Sequence, residues 1–329
     1  MKIAIVKLSA MGDIIHAMVA LELIKNKLPN IKIDWIVEES FACVLENNPN
    51  INNIVTVNLK KLKKSKLSIF GEIKKIKSLS KENYNLIIDA QGLIKSAIVA
   101  RLLSSNVAGF SKDSIREKQA SYLYKKNIQI DYAANTIDRN VKVITQPLGI
   151  EFSKEDILNK KPFLFFKQTK KIDRFLSNSK KNIVFIIGST WESRNYPKES
   201  FLKIANELKE NILITWGSKL EEEKAKWLES QSKYITALPK LNLNELKELI
   251  SKCDLTIGND TGPTHMAWGL NRPSITIFGP TPVSRVYITD INKVVKSSSI
   301  VNPYKLNKND YSIEEIKPDL IVNMAKDLL

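Results

Sequence analysis

Four short stretches of this sequence combine small, hydroxyl-bearing and charged residues in orders that could do chemistry. The first, "SAMGDIIH" (9–16), follows the apolar run Ile3–Val6. A strand, a tight turn permitted by Gly12 and a helix are expected, with Asp13 where the helix begins. Two roles are open to that carboxylate: a helix cap, for which Asp is well suited, or a general base facing a hydroxyl at the strand's end. A dinucleotide cradle is not indicated, because Gly12 stands alone where G-x-G-x-x-G is required. The second stretch, "NDTGPTHMAWG" (259–269), follows the run Leu255–Ile257. Asp260 and Thr261 can cap the next helix, Gly262 lets the backbone approach a ligand, and His265 lies one turn in. Exposed N–H groups at a helix start, aided by the helix dipole, hold phosphate, and a phosphate site is the expectation here over an ordinary cap.

The third stretch, "GSTWESRNYP" (188–197), offers the Ser189 and Thr190 hydroxyls just past a strand and the donor fork of Arg194, which matches phosphate geometry. A polar loop leading into a helix near Pro197 is the other reading. In the fourth, "WGSKLEEEKAKW" (216–227), Gly217 ends a strand and Glu221 lies near a helix start. An acid there meets a ribose diol in many nucleotide-binding domains, or simply complements the helix dipole. Other chemistries lack their residues. There is no D-x-D triplet, His16 and His265 are the only histidines, and no Cys/His cluster has ligand spacing. A metal-free mechanism is expected. The absence of a G-x-S-x-G elbow argues against a serine hydrolase.

The elements that must carry these loops are legible as alternating patterns. Strands are expected over Ile3–Val6, Ile33–Val37, Ile54–Val57, Leu86–Ile88, Ile183–Ile187, Ile212–Thr215, Leu255–Ile257 and Ile275–Phe278. Between them apolar residues recur at helical spacing, as in Met18, Leu21, Ile24 and Leu28. That alternation predicts an α/β fold with parallel sheets wrapped by helices. A boundary is expected between Gln146 and Lys181, after which the strand, small-residue loop and helix pattern restarts. Two Rossmann-like domains follow, with ligand loops at the carboxyl ends of the strands. A last helix is expected from Pro318 to Leu329, with Leu320, Met324 and Leu328 on one face.

The chain has 329 residues, 43% of them hydrophobic, enough to bury a core in each of two domains. Lys7 and Asp13 interrupt the N-terminal apolar residues, so no signal peptide is expected, and no apolar run approaches the ~18 residues of a membrane span. Cys43 and Cys253 sit in apolar surroundings and are expected to be buried thiols in a reducing compartment. The net charge is +16, and from Lys60 to Lys81 nine lysines are opposed by Glu72 alone. Such a run is either a solvated face or a surface for something anionic, such as phospholipid head groups or a phosphorylated substrate. With Phe70 its only aromatic, the run does not support base stacking, and no nucleic-acid partner is expected.

Taken in order, "VKLSAMGDIIHAMVAL", "IDWIVEESF", "YNLIIDAQGLIKSA", "SIREKQASYLY", "WGSKLEEEKAKWL" and "NDTGPTHMAWGLNRPSITIFGPT" resemble the bacterial heptosyltransferases of glycosyltransferase family 9. The S-x-M-G-D start with D-A-Q-G-L-x-K-S is similar to members that add the first heptose rather than the second. The resemblance implies a GT-B fold: two Rossmann-like domains facing a central cleft, over 1–155 and 156–312, with a closing helix, 313–329, packing back toward the first. It implies inverting transfer of heptose from ADP-L-glycero-β-D-manno-heptose to Kdo of Kdo2-lipid A, without cofactor or metal. The catalytic acid of the family falls on Asp13. Donor contacts fall on Ser189, Thr190, Arg194, Glu221, Asp260, Thr261, Gly262 and His265, and acceptor contacts on Lys60, Lys61, Lys63, Lys64, Lys95 and Arg116. The resemblance further implies a monomer at the anionic cytoplasmic face of the inner membrane. Ser189 stands where the family carries Thr, Arg194 where it carries Lys, and the Lys60–Lys64 cluster where it is richer in Arg. Three other readings are a related heptosyltransferase acting on a heptose acceptor, a nucleotide-dependent oxidoreductase with Glu38 or Glu39 on a ribose, and a basic membrane-binding module without activity.

Overall fold

The computed structural model describes residues 1–59 and 66–329. Lys60, Lys61, Lys63 and Lys64, four of the expected acceptor contacts, lie outside the described residues. The chain divides into two compact units, Met1–Phe165 and Phe166–Leu329.

The first unit runs β1 (Lys2–Val6), α1 (Met11–Lys27), β2 (Lys32–Glu38), α2 (Ala42–Leu45), β3 (Asn53–Val57), α3 (Lys66–Ser78), β4 (Leu86–Asp89), α4 (Ile94–Leu103), β5 (Val107–Phe110), β6 (Lys126–Ile128), α5 (Thr136–Thr145) and α6 (Lys154–Leu158). Its strands form one six-stranded sheet in the order β3-β2-β1-β4-β5-β6, and each neighbouring pair is parallel. The central strands read as unbroken apolar runs because helices cover both sheet faces: Ile3–Val6 and Ile87–Ile88 are almost wholly buried. Helix α1 is apolar nearly all round, with Ile14 to Leu21 buried, since it packs against α5 as well as the sheet.

The second unit repeats the plan with β7 (Asn182–Ile186), α7 (Lys198–Leu208), β8 (Asn211–Thr215), α8 (Lys219–Gln231), β9 (Ile235–Ala237), α9 (Leu243–Lys252), β10 (Leu255–Asn259), α10 (Gly262–Gly269), β11 (Ser274–Phe278), β12 (Asn292–Lys296) and α11 (Pro318–Leu328). The order β12-β11-β10-β7-β8-β9 is the same doubly wound order, again all parallel. Its core is built on Ile183, Phe185, Phe201, Ile214, Ile257 and Ile277. In each unit the order reverses beside the first strand, between β1 and β4 and between β7 and β10. The crevice at the carboxyl ends of such a pair is where open parallel sheets bind ligands.

The eight expected strands are all present, and β5, β6, β9 and β12 are additional. Two expectations are corrected. The buried face of α11 is Ile321, Val322 and Ala325, while Leu320 is 51% exposed and Met324 and Leu328 pack only partly against the core of the second unit. The side of a helix that goes inward is set by its neighbour, here α7, and more than one apolar stripe was available. Cys253 is buried, but Cys43 is exposed: it is the second residue of the four-residue helix α2, whose buried residues are Val44 and Leu45.

Candidate functional site

In the first unit the loops after β1 and β4 are tied to each other. Lys7, one residue past β1, is buried, and its Nζ donates to Ala90 O (2.8 Å) and Asn140 Oδ1 (2.9 Å). Gln91 Oε1 accepts from both Leu8 N and Ser9 N at 3.1 Å. Asp89, the last residue of β4, is fully buried and accepts from Tyr124 OH (2.7 Å), Ser96 Oγ (2.8 Å), Gln91 N (2.9 Å) and Gly92 N (3.2 Å). Burial nonetheless pushes the Asp89 carboxyl above its usual range. Burial likewise pushes the Lys7 ammonium down, with Asp13 and Asp89 pulling the other way.

Asp13 rides on this stapled pair of loops. Ala10, at the cap position of α1, has no side-chain acceptor. Asp13 is the third helical residue, partly exposed, and its Oδ2 reaches back to Ala10 N at 3.4 Å, long for a hydrogen bond. The carboxylate thus makes a helix-start contact from the third helical position, and it stands at the switch point within the field of a buried ammonium. Lys95, in the first turn of α4, and Arg116, in the loop after β5, are both exposed and both follow carboxyl ends of strands in the same sheet.

In the second unit the corresponding loops meet around Asp260, at the end of β10. Its carboxylate is 1% exposed. Oδ2 accepts from Arg194 Nη2 (2.9 Å) and Thr281 Oγ1 (2.7 Å), Oδ1 pairs with His265 Nε2 (2.9 Å), and Arg285 Nη1 lies 4.0 Å from Oδ2. Burial opposes its charge, but the His265 hydrogen bond and the Arg194 and Arg285 guanidinium groups overcome this and hold the carboxyl far below the usual range. Arg194 also lies over the Trp191 ring, 5.4 Å from its centroid. Two guanidinium groups thus converge on one carboxylate beside the N-terminus of α10, an arrangement with positive charge to spare for an anion. Thr261 is the residue before α10 and makes no side-chain cap, and Gly262 and Pro263 form its first turn.

The loop after β7 is pinned into the same place. Asn259 is buried, its Oδ1 accepting from Tyr196 N (3.0 Å) and its Nδ2 donating to Ile187 O (2.9 Å). Among the described residues, Ser189 Oγ and Ser193 Oγ are buried without a hydrogen-bond partner. Such hydroxyls cost a fold stability unless something else uses them. Thr190 is exposed. Glu221 sits in the first turn of α8, its Oε2 accepting from Gly217 N (2.7 Å). It lies directly against Gly188: a Cβ there would be 2.2 Å from Glu221 Cδ. The acid from β8 and the loop from β7 are therefore in van der Waals contact.

The eight donor-side candidates, from three separate stretches, lie on three adjacent strand ends of one sheet. Asp260 differs from the other seven in that both carboxylate oxygens are already engaged, so it organises the cluster. Reading the sequence missed Arg285, Thr281, Asn259, Lys7 and Asn140. Only "GPTPVSR", running on from β11, hinted at a further strand-end loop. Among the described residues no group of three or more His, Cys, Asp or Glu side chains is placed to hold a metal ion.

Known proteins give this geometry a context. The description "Glycosyltransferase family 9 (heptosyltransferase)" matches residues 73–314. Lipopolysaccharide heptosyltransferase 1 of Campylobacter coli is 38% identical, with 100% of this chain and 99% of the relative covered. The protein of the same name from Escherichia coli strain K12 is 31% identical over 85% of this chain and 88% of its own. Among solved structures, E. coli heptosyltransferase WaaC with ADP-2-deoxy-2-fluoro heptose superposes with a TM-score of 0.81 at 25% identity over the whole of both chains. E. coli ADP-heptose LPS heptosyltransferase II, at 19% identity and a TM-score of 0.74, shares the fold. The expected GT-B class, two parallel-sheet α/β domains, is therefore the fold of this chain.

Proposed function

Because this chain belongs to glycosyltransferase family 9, the heptosyltransferases, we propose that it moves L-glycero-D-manno-heptose from ADP-heptose to Kdo of Kdo2-lipid A, with inversion, in assembly of the lipopolysaccharide inner core. The name of the Campylobacter coli relative and the ADP-heptose analogue held by the E. coli structure support the donor and the pathway. The observation that carries the reading is the Asp260-centred cluster, with Arg194 and Arg285 converging at the start of α10.

In this reading the first unit takes the acceptor and the second the donor. The diphosphate lies on the N-terminus of α10, with Thr261 and Gly262 presenting backbone, Arg194, Ser189 and Thr190 closing round it, and Glu221 on the ribose. Asp260 works through Arg194 and His265, fixing both. Charge that builds on the departing ADP is met by guanidinium groups and helix dipole already in place, so the step needs little reorganisation. Asp13 accepts the proton of the acceptor hydroxyl as that oxygen attacks the anomeric carbon from the face opposite ADP. Lys7 holds the Asp13 loop in place through Ala90 O and Asn140 Oδ1. Lys95 and Arg116, with Lys60, Lys61, Lys63 and Lys64, face the Kdo carboxylates and lipid A phosphates. The enzyme acts as a monomer, peripheral to the cytoplasmic face of the inner membrane, and uses neither cofactor nor metal.

The test is direct. Incubation with ADP-heptose and Kdo2-lipid A should add one heptose by mass spectrometry, with full activity in the presence of a chelator. Transfer only to an acceptor that already carries heptose would make this a later enzyme of the same series, and no transfer to either would sink the reading.

A further inference from the structure

Helix α4 of the first unit leaves one face uncovered. Ile94 and Ile98, one turn apart, are 40% and 47% exposed, and Lys95 and Arg101 lie exposed on the same side. Residues at i, i+4 and i+7, here Ile94, Ile98 and Arg101, share a helix face, and Lys95 flanks it. The other side of α4 is buried through Ala97, Val99, Ala100 and Leu103. Packed against α4 is the short helical turn Lys118–Leu123, which carries Tyr122, 72% exposed. A hydrophobic group exposed singly is ordinary. Three large ones on two touching elements form a patch, and such a patch marks an interaction surface. The first turn of α4 also receives Glu117 Oε2 on Ile94 N at 2.8 Å, so the turn and the helix end are fixed to each other.

Charge selects the occupant. From Ile94 to Lys126 the chain carries Lys95, Arg101, Lys112, Arg116, Lys118, Lys125 and Lys126, against Asp113 and Glu117 alone, and all seven cations are exposed. Aliphatic side chains and an amphipathic tyrosine set among cations match the boundary of an anionic bilayer. There apolar groups enter the acyl region, Tyr sits at head-group level and Lys or Arg meet lipid phosphates. Place agrees with chemistry: α4 begins four residues after Ala90, whose carbonyl Lys7 holds beside the Asp13 loop.

We propose that the Ile94–Ile98–Tyr122 face is the surface by which the protein seats on an anionic phospholipid bilayer, presenting the Asp13 loop to an acceptor still embedded in the membrane. The embedded acceptor rests on the function proposed above; the docking itself does not. None of the three side chains is assigned to chemistry, and all three are exposed at the surface of the first unit.

The experiment compares wild type with the triple variant I94S/I98S/Y122S. Co-sedimentation with vesicles of phosphatidylethanolamine and phosphatidylglycerol should fall by about tenfold or more in affinity, while transfer to a deacylated, water-soluble Kdo-containing acceptor stays within about twofold. Unchanged vesicle affinity in the triple variant overturns the proposal. So does a wild-type dimer in sedimentation velocity that the variant abolishes, since a second copy would then cover the face. If wild type binds vesicles through this face but glycosylates neither acceptor, the docking stands and the proposed function fails.

Discussion

Asp13 and Asp260 are both acids beside a helix start, and their surroundings set them apart. Asp260 is buried, with both oxygens taken by His265, Arg194 and Thr281, so it stays ionised and accepts no proton. Asp13 is partly exposed, with Ala10 N 3.4 Å from its Oδ2, and the proposed function makes it the base. Replacing Asp13 by Asn keeps the shape and removes the base: kcat should fall by roughly 10²- to 10⁴-fold, with ADP-heptose affinity by calorimetry unchanged. A near wild-type rate would remove the assignment. Gly188 gives a second prediction. Its missing Cβ leaves room for Glu221, whose flexible side chain would have to move in Gly188→Ala. The variant should fold normally and lose roughly tenfold in donor affinity, about the worth of one hydrogen bond to a charged group; unchanged affinity would take Glu221 away from the ribose. The types and spacing of Asp13, Arg194, Glu221 and Asp260 were legible in the sequence because each follows an apolar run. Arg285 and Thr281 were not, because they join Asp260 only when β11 is laid beside β10. Their nearness is a product of tertiary structure that no local pattern encodes.

Elements were legible to the degree that they are buried. Strands at the centre of each sheet announce themselves by unbroken apolar runs such as "IAIV" and "IVFI". The strands that went unread are short or lie at edges: β6 and β9 have three residues each, β12 carries lysines at both ends of "KVVK", and β5 contains Gly109. An edge strand is half solvated, so polar residues are tolerated and alternation is weak. Gly109 has a packing reason, since a Cβ there would meet the Tyr124 ring at 2.5 Å, and that ring carries the hydroxyl bound to Asp89. Helix α9 supplies a prediction about pH. Glu248, buried on α9, accepts from Thr169 N (2.9 Å), Thr169 Oγ1 (2.7 Å) and Lys252 Nζ (2.9 Å), clipping the segment that enters the second unit to this helix. Burial works against its charge, but these bonds hold the carboxyl at about 2 against an ordinary 4.5. A depressed carboxyl stabilises the fold above its unfolded value and loses that contribution as pH falls through the folded one. Glu248→Gln should therefore flatten the loss of stability between about pH 4.5 and pH 2 measured by urea unfolding. An acid limb as steep as that of wild type would count against the clip.

At the scale of the whole molecule, each unit has a complete sheet and each has its own switch point. Ligand effects should follow that division. ADP-heptose should slow amide hydrogen exchange over 187–195 and 259–265 in the second unit, and protection confined to the first would reverse the donor and acceptor assignments. Thiol chemistry should divide the same way. Cys43, exposed on the first unit, should react quickly with a thiol reagent, whereas Cys253, pushed up to about 12 by burial in the second, should react only on unfolding. The restart of the pattern after Gln146 made two domains legible; the division itself, between Phe165 and Phe166, falls in a stretch with no strand or α-helix to mark it. That division makes the chain open to recombination. A chimera crossing over between Phe165 and Phe166 cuts through neither sheet. It should inherit its acceptor from one parent and its nucleotide sugar from the other, so that new glycosidic linkages could be assembled by exchanging halves.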